Sequence, residues 1–182
     1  MKNEDNPLIF RALEFFINEP YKKIHLREFS RKLKISPNSA SRFLGCFVKE
    51  KLVNEERVAN LRYFIANLDS ATFRQVKKVY SIKQIEDVGL VGGLKDLCVH
   101  LVIFGSVGKG IDSSESDVDI LVIGKDKKKI EEKIRSVQKK FNRELAPVIF
   151  SDVEWQKQKI NNKAFYQDII AGGINLIGEM PI

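Results

Sequence analysis

The 182-residue sequence predicts an α+β protein with two parts, a helical part that ends in a β-hairpin and a small α/β domain. Apolar residues recur at helical spacing through the first fifty residues, and two short β-like segments follow. Further along, two apolar, β-branched runs, Leu101–Phe104 and Ile120–Ile123, bracket a loop rich in glycine and acidic residues. The chain is long enough to form two small domains, each with its own core.

The first part contains three predicted helices and a hairpin. The spacing of apolar residues places the helices at about 8–19, 26–34 and 38–51. Ser36 and Pro37 are typical of an N-cap and a first helical position, so they predict a tight turn before the third helix. Two strands are then predicted, 52–58 and 61–66, joined at Ala59-Asn60.

This order of elements resembles the winged helix-turn-helix domains of prokaryotic transcription regulators over about residues 7–67. The resemblance implies that the third helix enters the major groove of double-stranded DNA and that the hairpin contacts the backbone or minor groove. Residues 1–66 carry 13 Lys/Arg against 8 Asp/Glu, an excess that suits a polyanion. The candidate DNA-binding residues are polar or basic: Asn38, Ser39, Ser41, Arg42, Lys49, Arg57, Asn60 and Arg62. The alternative is a winged helix used for protein contacts.

Residues 68–96 are predicted to connect a domain at 1–67 with a domain at 97–182. The connection holds one helix, from Ser70 or Thr72 to about residue 86, and then a glycine-rich hinge. Cys46 and Cys98 lie among apolar neighbours and are too few for a disulfide framework or a zinc site. We expect both to be buried free thiols.

The loop between the two apolar runs, GSVGKGIDSSESDVD, carries the most informative residues. Residues two apart in a strand share a face, so Asp117 and Asp119 are expected side by side at the start of the second strand. Adjacent carboxylates repel each other unless a cation lies between them, which predicts a divalent-metal site. Gly105-Ser106 form a small turn whose backbone N–H groups can approach an anion. The spacing excludes a P-loop and an EF-hand.

This pattern resembles the signature of the DNA polymerase β-type nucleotidyltransferase superfamily, nearest to its minimal bacterial and archaeal members, over about residues 95–180. The resemblance implies a mixed sheet, two Mg²⁺ ions held by three carboxylates, and transfer of a nucleoside monophosphate from a nucleoside triphosphate to a hydroxyl acceptor. Asp117 and Asp119 match the first two carboxylates. Gly105 and Ser106 match the phosphate-binding turn, and Lys109 matches a basic position of the nucleotide-binding loop.

The third carboxylate should lie on the next strand, Leu145–Phe150, which contains Pro147 but no acid. Glu144, at the start of that strand, is the first candidate for this catalytic position, and Asp152, just past its end, is the second. Pro147 also predicts an edge strand or a bulge. The sequence therefore leaves open an active nucleotidyltransferase, acting on a protein, an RNA or a small molecule, and a non-catalytic DNA-binding regulator. Such a regulator, for example of the toxin–antitoxin type, would use this domain to bind nucleotide or to mediate assembly.

A cytoplasmic protein without membrane contact is expected. No run of eighteen apolar residues occurs, and Glu4 and Asp5 make the first residues unlike a signal peptide. Winged-helix regulators commonly dimerise, so a homodimer is an open alternative to a monomer.

Overall fold

A computed structural model describes residues 8–182, so Glu4 and Asp5 lie outside the described residues. The chain divides into two compact units, one up to Lys77 and one from Lys78 to Ile182. No helix among the described residues combines the length and the apolar character needed to cross a bilayer.

The first unit consists of three helices and a small antiparallel sheet. Its elements, in chain order, are α1 (Leu8–Asn18), β1 (Ile24–His25), α2 (Leu26–Leu33), α3 (Pro37–Lys49), β2 (Val53–Val58) and β3 (Leu61–Ala66). The sheet order is β1-β3-β2. The helices and the hairpin lie where the sequence pattern predicted them. Strand β1 was not predicted, because two residues are too few to show an alternating pattern.

Aromatic packing forms the core of the first unit. The Phe16 ring lies 5.5 Å from Phe29 of α2 and 6.4 Å from Phe47 of α3, measured between ring centroids. Helix α3 buries one face through Ala40, Phe43, Leu44 and Phe47. Its opposite face is therefore open to solvent.

The turn between α2 and α3 has the chemistry that its residues predicted. The α2 cap, Lys34, takes a left-handed conformation with φ 54°, and the Ile35 amide donates to the Ser30 carbonyl at 3.0 Å. The Ser36 hydroxyl oxygen accepts from the Ser39 amide at 3.1 Å, and Pro37 begins the helix. These bonds satisfy backbone groups that a helix end leaves without a partner.

Helix α4 (Ala71–Asp87) crosses the division between the units, and a four-stranded mixed sheet follows. The remaining elements are α5 (Leu90–Leu94), β4 (His100–Ile103), α6 (Gly105–Lys109), β5 (Val118–Ile123), α7 (Lys127–Gln138), β6 (Leu145–Phe150), α8 (Asp152–Asn161), α9 (Lys163–Gly172) and β7 (Ile174–Ile177). The strand order is β6-β5-β4-β7. Strands β5 and β6 are parallel, whereas β4 is antiparallel to both β5 and β7. Strand β6 forms an edge, as Pro147 predicted.

Both faces of this sheet are buried. One face packs Leu101 and Ile120, among others, against Ile130 and Ile134 of α7. The other packs Val102 and Leu121 among residues of α8 and α9 that include Trp155 and Ile169. Burial on both faces explains why β4 and β5 read as continuous apolar runs rather than as alternating ones.

The two cysteines differ in environment. Cys98 is buried, and this burial raises the pKa of its thiol to about 11. Cys46 is exposed, so the expectation of two buried thiols is wrong for this residue. Its apolar neighbours Phe43 and Phe47 face the core, and Cys46 lies on a different side of the same helix.

Candidate functional site

Strand pairing brings the end of β4 beside the start of β5. Ile103 pairs with Ile120, and the Phe104 amide donates to the Asp119 carbonyl at 3.0 Å. Gly105 follows with φ 64°, a conformation that residues with a Cβ rarely adopt. A Cβ at this position would lie 2.0 Å from Oδ2 of Asp119. The carboxylate of Asp119 therefore lies directly against the turn that opens α6.

Asp119 is the second residue of β5, and Asp117 directly precedes the strand. Asp117 is exposed and Asp119 is half-buried. Burial, and secondly the charge of Asp117, raise the pKa of Asp119 above its ordinary value. Both causes disfavour the ionised carboxylate, and a bound cation would relieve both. A cation beside this pair would therefore favour the ionised form of Asp119.

The neighbouring strand has no acid opposite Asp119. In the parallel register of β5 and β6, Asp119 pairs with Ala146, and the Val118 amide donates to the Glu144 carbonyl at 2.8 Å. Glu144 therefore lies at the same end of the sheet as Asp117, and it is exposed. Among the described residues, no three or more His, Cys, Asp and Glu side chains form a metal-binding group.

Asp152 lies at the opposite end of the sheet. Because β6 runs parallel to β5, its last residue, Phe150, pairs with Ile123 at the far end of β5. Phe150 is four positions beyond Ala146, which is about 13 Å along an extended strand. Asp152 then begins α8. Of the two acids considered for the third position, Glu144 is the one near Asp117 and Asp119.

Lys109 is the last residue of α6, and it contacts α9. Its Nζ lies 2.8 Å from Oδ1 of Asp168, and both side chains are close to half exposed. Helices α6 and α9 also pack closely here, since a Cβ on Gly108 would lie 2.8 Å from the Gly172 carbonyl oxygen. No sequence pattern identified Asp168, because nothing local marks a partner 59 positions away. Ser106 is half-buried in the first turn of α6.

An ion pair that no sequence pattern identified lies next to the loop that contains Asp117. Arg143 and Asp112 form an ion pair at 2.9 Å whose side chains are only 10% and 2% exposed. Arg143 also donates from Nε to the Ser116 carbonyl at 2.9 Å. The sequence offered one signal, an aspartate inside a loop next to an apolar strand, but not the identity of its partner.

On the first unit, the candidate DNA-binding residues of α3 are accessible to different degrees. Asn38, Arg42 and Lys49 are exposed, whereas Ser39 and Ser41 are half-buried. The Ser39 hydroxyl accepts from the Ser36 hydroxyl at 2.9 Å. Of the candidate residues on α3, the exposed ones are therefore one amide, Asn38, and two cations, Arg42 and Lys49.

The hairpin presents less positive charge than its arginines suggest. Both carboxylate oxygens of Glu55 accept from Arg62, each at 2.8 Å, and Arg57 lies 3.3 Å from the same carboxylate. The hydrogen bond from Arg62 is the main cause that lowers the pKa of Glu55. Arg62 is half-buried, whereas Arg57 and Asn60 remain exposed near the tip of the hairpin. Arg62 is thus already bound by a carboxylate.

Comparison with known proteins gives one family match, which covers most of the second unit. Residues 96–180 match the family model "Polymerase beta, Nucleotidyltransferase", so this part of the chain is a nucleotidyltransferase-type domain. None of the curated proteins compared with the chain matches it. A mutant of the toxin–antitoxin MntA-HpeT is 19% identical, with 50% of this chain and 70% of that chain covered and a TM-score of 0.36. A toxin–antitoxin with AMP-PNP is 17% identical, with 54% and 73% covered and a TM-score of 0.36.

Proposed function

We propose that the second unit binds a nucleoside triphosphate with Mg²⁺ and transfers its nucleoside monophosphate to a hydroxyl acceptor. One observation carries this proposal: the half-buried Asp119 carboxylate lies against Gly105, with the Asp117 charge beside it. A metal ion held by this pair and a phosphate held by the turn at Gly105-Ser106 would be neighbours. That proximity is what metal-assisted phosphoryl chemistry requires.

The chemistry of the donor set fits one Mg²⁺ better than two. Magnesium commonly binds one or two carboxylates and completes its octahedron with phosphate oxygens and waters. Asp117 and Asp119 supply two carboxylates, whereas Ala146, opposite Asp119, has no side-chain ligand atom. We therefore propose one ion held by this pair, where the family resemblance implied two. When bound, the ion would neutralise phosphate charge, while the chain itself orients the phosphates at the turn that opens α6.

Substitution of the aspartates tests nucleotide binding. Asp119→Asn should abolish most of the Mg²⁺-dependent gain in affinity for a non-hydrolysable ATP analogue, because an amide cannot supply the anionic oxygen. We expect a loss of about tenfold or more, measured by calorimetric titration with and without Mg²⁺. Asp117→Asn should act in the same direction. Asp152→Asn, at the other end of the sheet, is the matched control. Equal Mg²⁺ dependence in wild type and both site variants would contradict the proposal.

Transfer needs its own test, since Ala146 also favours a second candidate function. A domain without a third carboxylate could bind nucleotide in a non-catalytic DNA-binding regulator. Incubation with labelled nucleoside triphosphates, Mg²⁺ and cell extract distinguishes the two. Labelling of a protein, an RNA or a small molecule that disappears in Asp119→Asn supports transfer. Nucleotide binding without labelling of any acceptor supports the regulator.

We also propose that the first unit is a winged helix-turn-helix that binds double-stranded DNA. Support comes from α3, whose buried aromatic face leaves Asn38, Arg42 and Lys49 exposed together with the preceding turn. These residue types bond to base edges and phosphates. Because Arg62 is half-buried and donates two hydrogen bonds to Glu55, we assign the hairpin contacts to Asn60 and to the more exposed Arg57, which contacts Glu55 only through Nε.

Arg42→Ala tests this surface. The substitution should weaken binding to a DNA duplex that wild type binds by about tenfold, because it removes an exposed guanidinium from α3. Lys157→Ala, at an exposed position of α8, removes a positive charge from the second unit and should leave the affinity nearly unchanged. Fluorescence anisotropy over a salt series measures both affinity and the number of phosphate contacts. Binding that is absent from wild type, or insensitive to salt, would exclude DNA as the partner.

A further inference from the structure

The loop that carries Asp117 is held from behind by one guanidinium. Arg143 donates from Nε to the Ser116 carbonyl and from Nη1 to Oδ2 of Asp112, both at 2.9 Å. Its Nη2 reaches the Asp117 carbonyl oxygen at 3.5 Å. Three nitrogens of one planar group therefore contact three residues of the segment between α6 and β5. Only arginine presents donors in such a fixed fork.

The backbone of Arg143 is itself well anchored. Gln138, at the end of α7, donates from Nε2 to the Arg143 carbonyl at 2.9 Å and accepts the Leu145 amide at 2.7 Å through Oε1. One residue further, the Glu144 carbonyl accepts the Val118 amide at 2.8 Å. Helix α7 and strand β6 thus determine where the guanidinium lies.

Asp117 needs such support more than Asp119 does. Asp119 lies inside β5, paired with Ala146 and packed against Gly105. Asp117 precedes the first residue of β5 and is exposed. The segment before it is a short turn in which the Ser113 amide donates to the Ser116 hydroxyl at 3.0 Å. The Arg143 contacts connect that turn to the sheet.

We infer that Arg143, held by Asp112, is a positioning residue that fixes Asp117 for divalent-cation binding. The inference rests on the proposed function, since it assigns a role within the same site. A buried ion pair is weak evidence for stability alone, because desolvation of both charges offsets much of their attraction. Here the guanidinium also bonds to the backbone beside a proposed metal ligand, which is the arrangement by which neighbouring groups orient metal ligands.

A double-variant cycle separates positioning from stability. Arg143→Gln and Asp112→Asn, made singly, should each destabilise the protein in urea, because each removes one charge of a buried ion pair and keeps the other. The double variant removes both charges and should recover much of that stability. In the double variant, the factor by which Mg²⁺ raises the affinity for the ATP analogue should still be about tenfold smaller than in wild type. The bonds to Ser116 and Asp117 are not restored in this variant.

Two further measurements make the result specific. Amides of residues 113–118 should exchange hydrogen faster in the double variant than in wild type, as expected of a loosened loop. Arg135→Gln removes an exposed arginine of α7 that is paired with Glu131, and it should change neither readout. If the double variant keeps the wild-type Mg²⁺ dependence, the inference is overturned while the proposed function stands. If Mg²⁺ does not raise the affinity of wild type for the ATP analogue, both the proposed function and this inference are wrong.

Discussion

At the scale of single residues, the site requires glycine at position 105, where there is no room for a side chain. Gly105 allows the Asp119 carboxylate to approach the backbone so closely that a Cβ there would lie within 2.0 Å of its oxygen. The same residue adopts φ 64°, so two independent constraints require glycine. The motif glycine therefore shapes the position of a proposed metal ligand as well as the turn.

Gly105→Ala should reduce stability and Mg²⁺-dependent nucleotide binding together. The left-handed conformation alone costs an L-residue about 1–2 kcal/mol, and displacement of Asp119 adds to that cost. Urea unfolding and titration with the ATP analogue measure the two effects.

Gly92→Ala is the matched control for this prediction. Gly92 lies in α5, and a Cβ there would meet nothing within 4 Å. The change should leave stability unchanged or raise it by about 0.5–1 kcal/mol. If Gly105→Ala keeps the stability and the nucleotide affinity of wild type, the close approach of Asp119 to Gly105 is not required for either.

At the scale of elements, hydrogen bonds in its first turn fix where helix α8 begins. Ser151 and Glu154 form a capping box, in which the Ser151 amide donates to the Glu154 carboxylate at 2.7 Å. Lys127, at the start of α7, donates to the same carboxylate at 2.8 Å. The Lys127 bond first, and then the Ser151 bonds, lower the pKa of Glu154 to about 2. One carboxylate thus joins the starts of two helices on either side of β6.

This lowered pKa predicts the pH dependence of the Glu154→Gln variant. A carboxylate whose pKa falls on folding stabilises the protein when ionised, so its contribution is fully present above the ordinary value of 4.5. The contribution is lost as the pH falls from there towards about 2. Wild type should therefore exceed Glu154→Gln in free energy of unfolding at pH 7, and the difference should shrink by pH 3.

Urea unfolding of both proteins at several pH values measures this difference. Glu132→Gln, an exposed substitution on α7, is the charge-matched control. A difference between wild type and Glu154→Gln that stays constant from pH 7 to pH 3 would argue against the capping role.

At the scale of the whole molecule, each unit has its own core. The first is built on aromatic residues such as Phe16 and Phe29, whereas the apolar clusters of the second comprise only residues from Ile82 onwards. Buried Lys77 belongs to the first unit, where its Nζ donates to the Ile17 carbonyl at 2.6 Å. Separate cores predict that damage to one surface spares the other.

We therefore expect the two proposed binding activities to be separable. Arg42→Ala should leave the affinity for the Mg²⁺-bound ATP analogue within about twofold of wild type, and Asp119→Asn should do the same for DNA. Both variants are measured in both assays on the full chain. A larger reciprocal change would reveal a coupling free energy between the units, since coupling must act equally in both directions.

Local patterns predicted much of this molecule. Helical spacing and the cap at Ser36-Pro37 located the helices of the first unit, and the apolar run Ile120–Ile123 located strand β5. Pro147 correctly indicated an edge strand, because a residue without an N–H cannot pair on both sides. These features depend on neighbours in the sequence, so the sequence by itself determined them.

Only the tertiary structure decided which distant residues meet. The parallel register of β5 and β6 brings Glu144 near the aspartate pair, sends Asp152 to the other end of the sheet, and leaves Ala146 opposite Asp119. The ion-pair partners of Arg143 and Lys109 lie 31 and 59 positions away. Such contacts depend on strand order and side-chain packing, which no local spacing encodes.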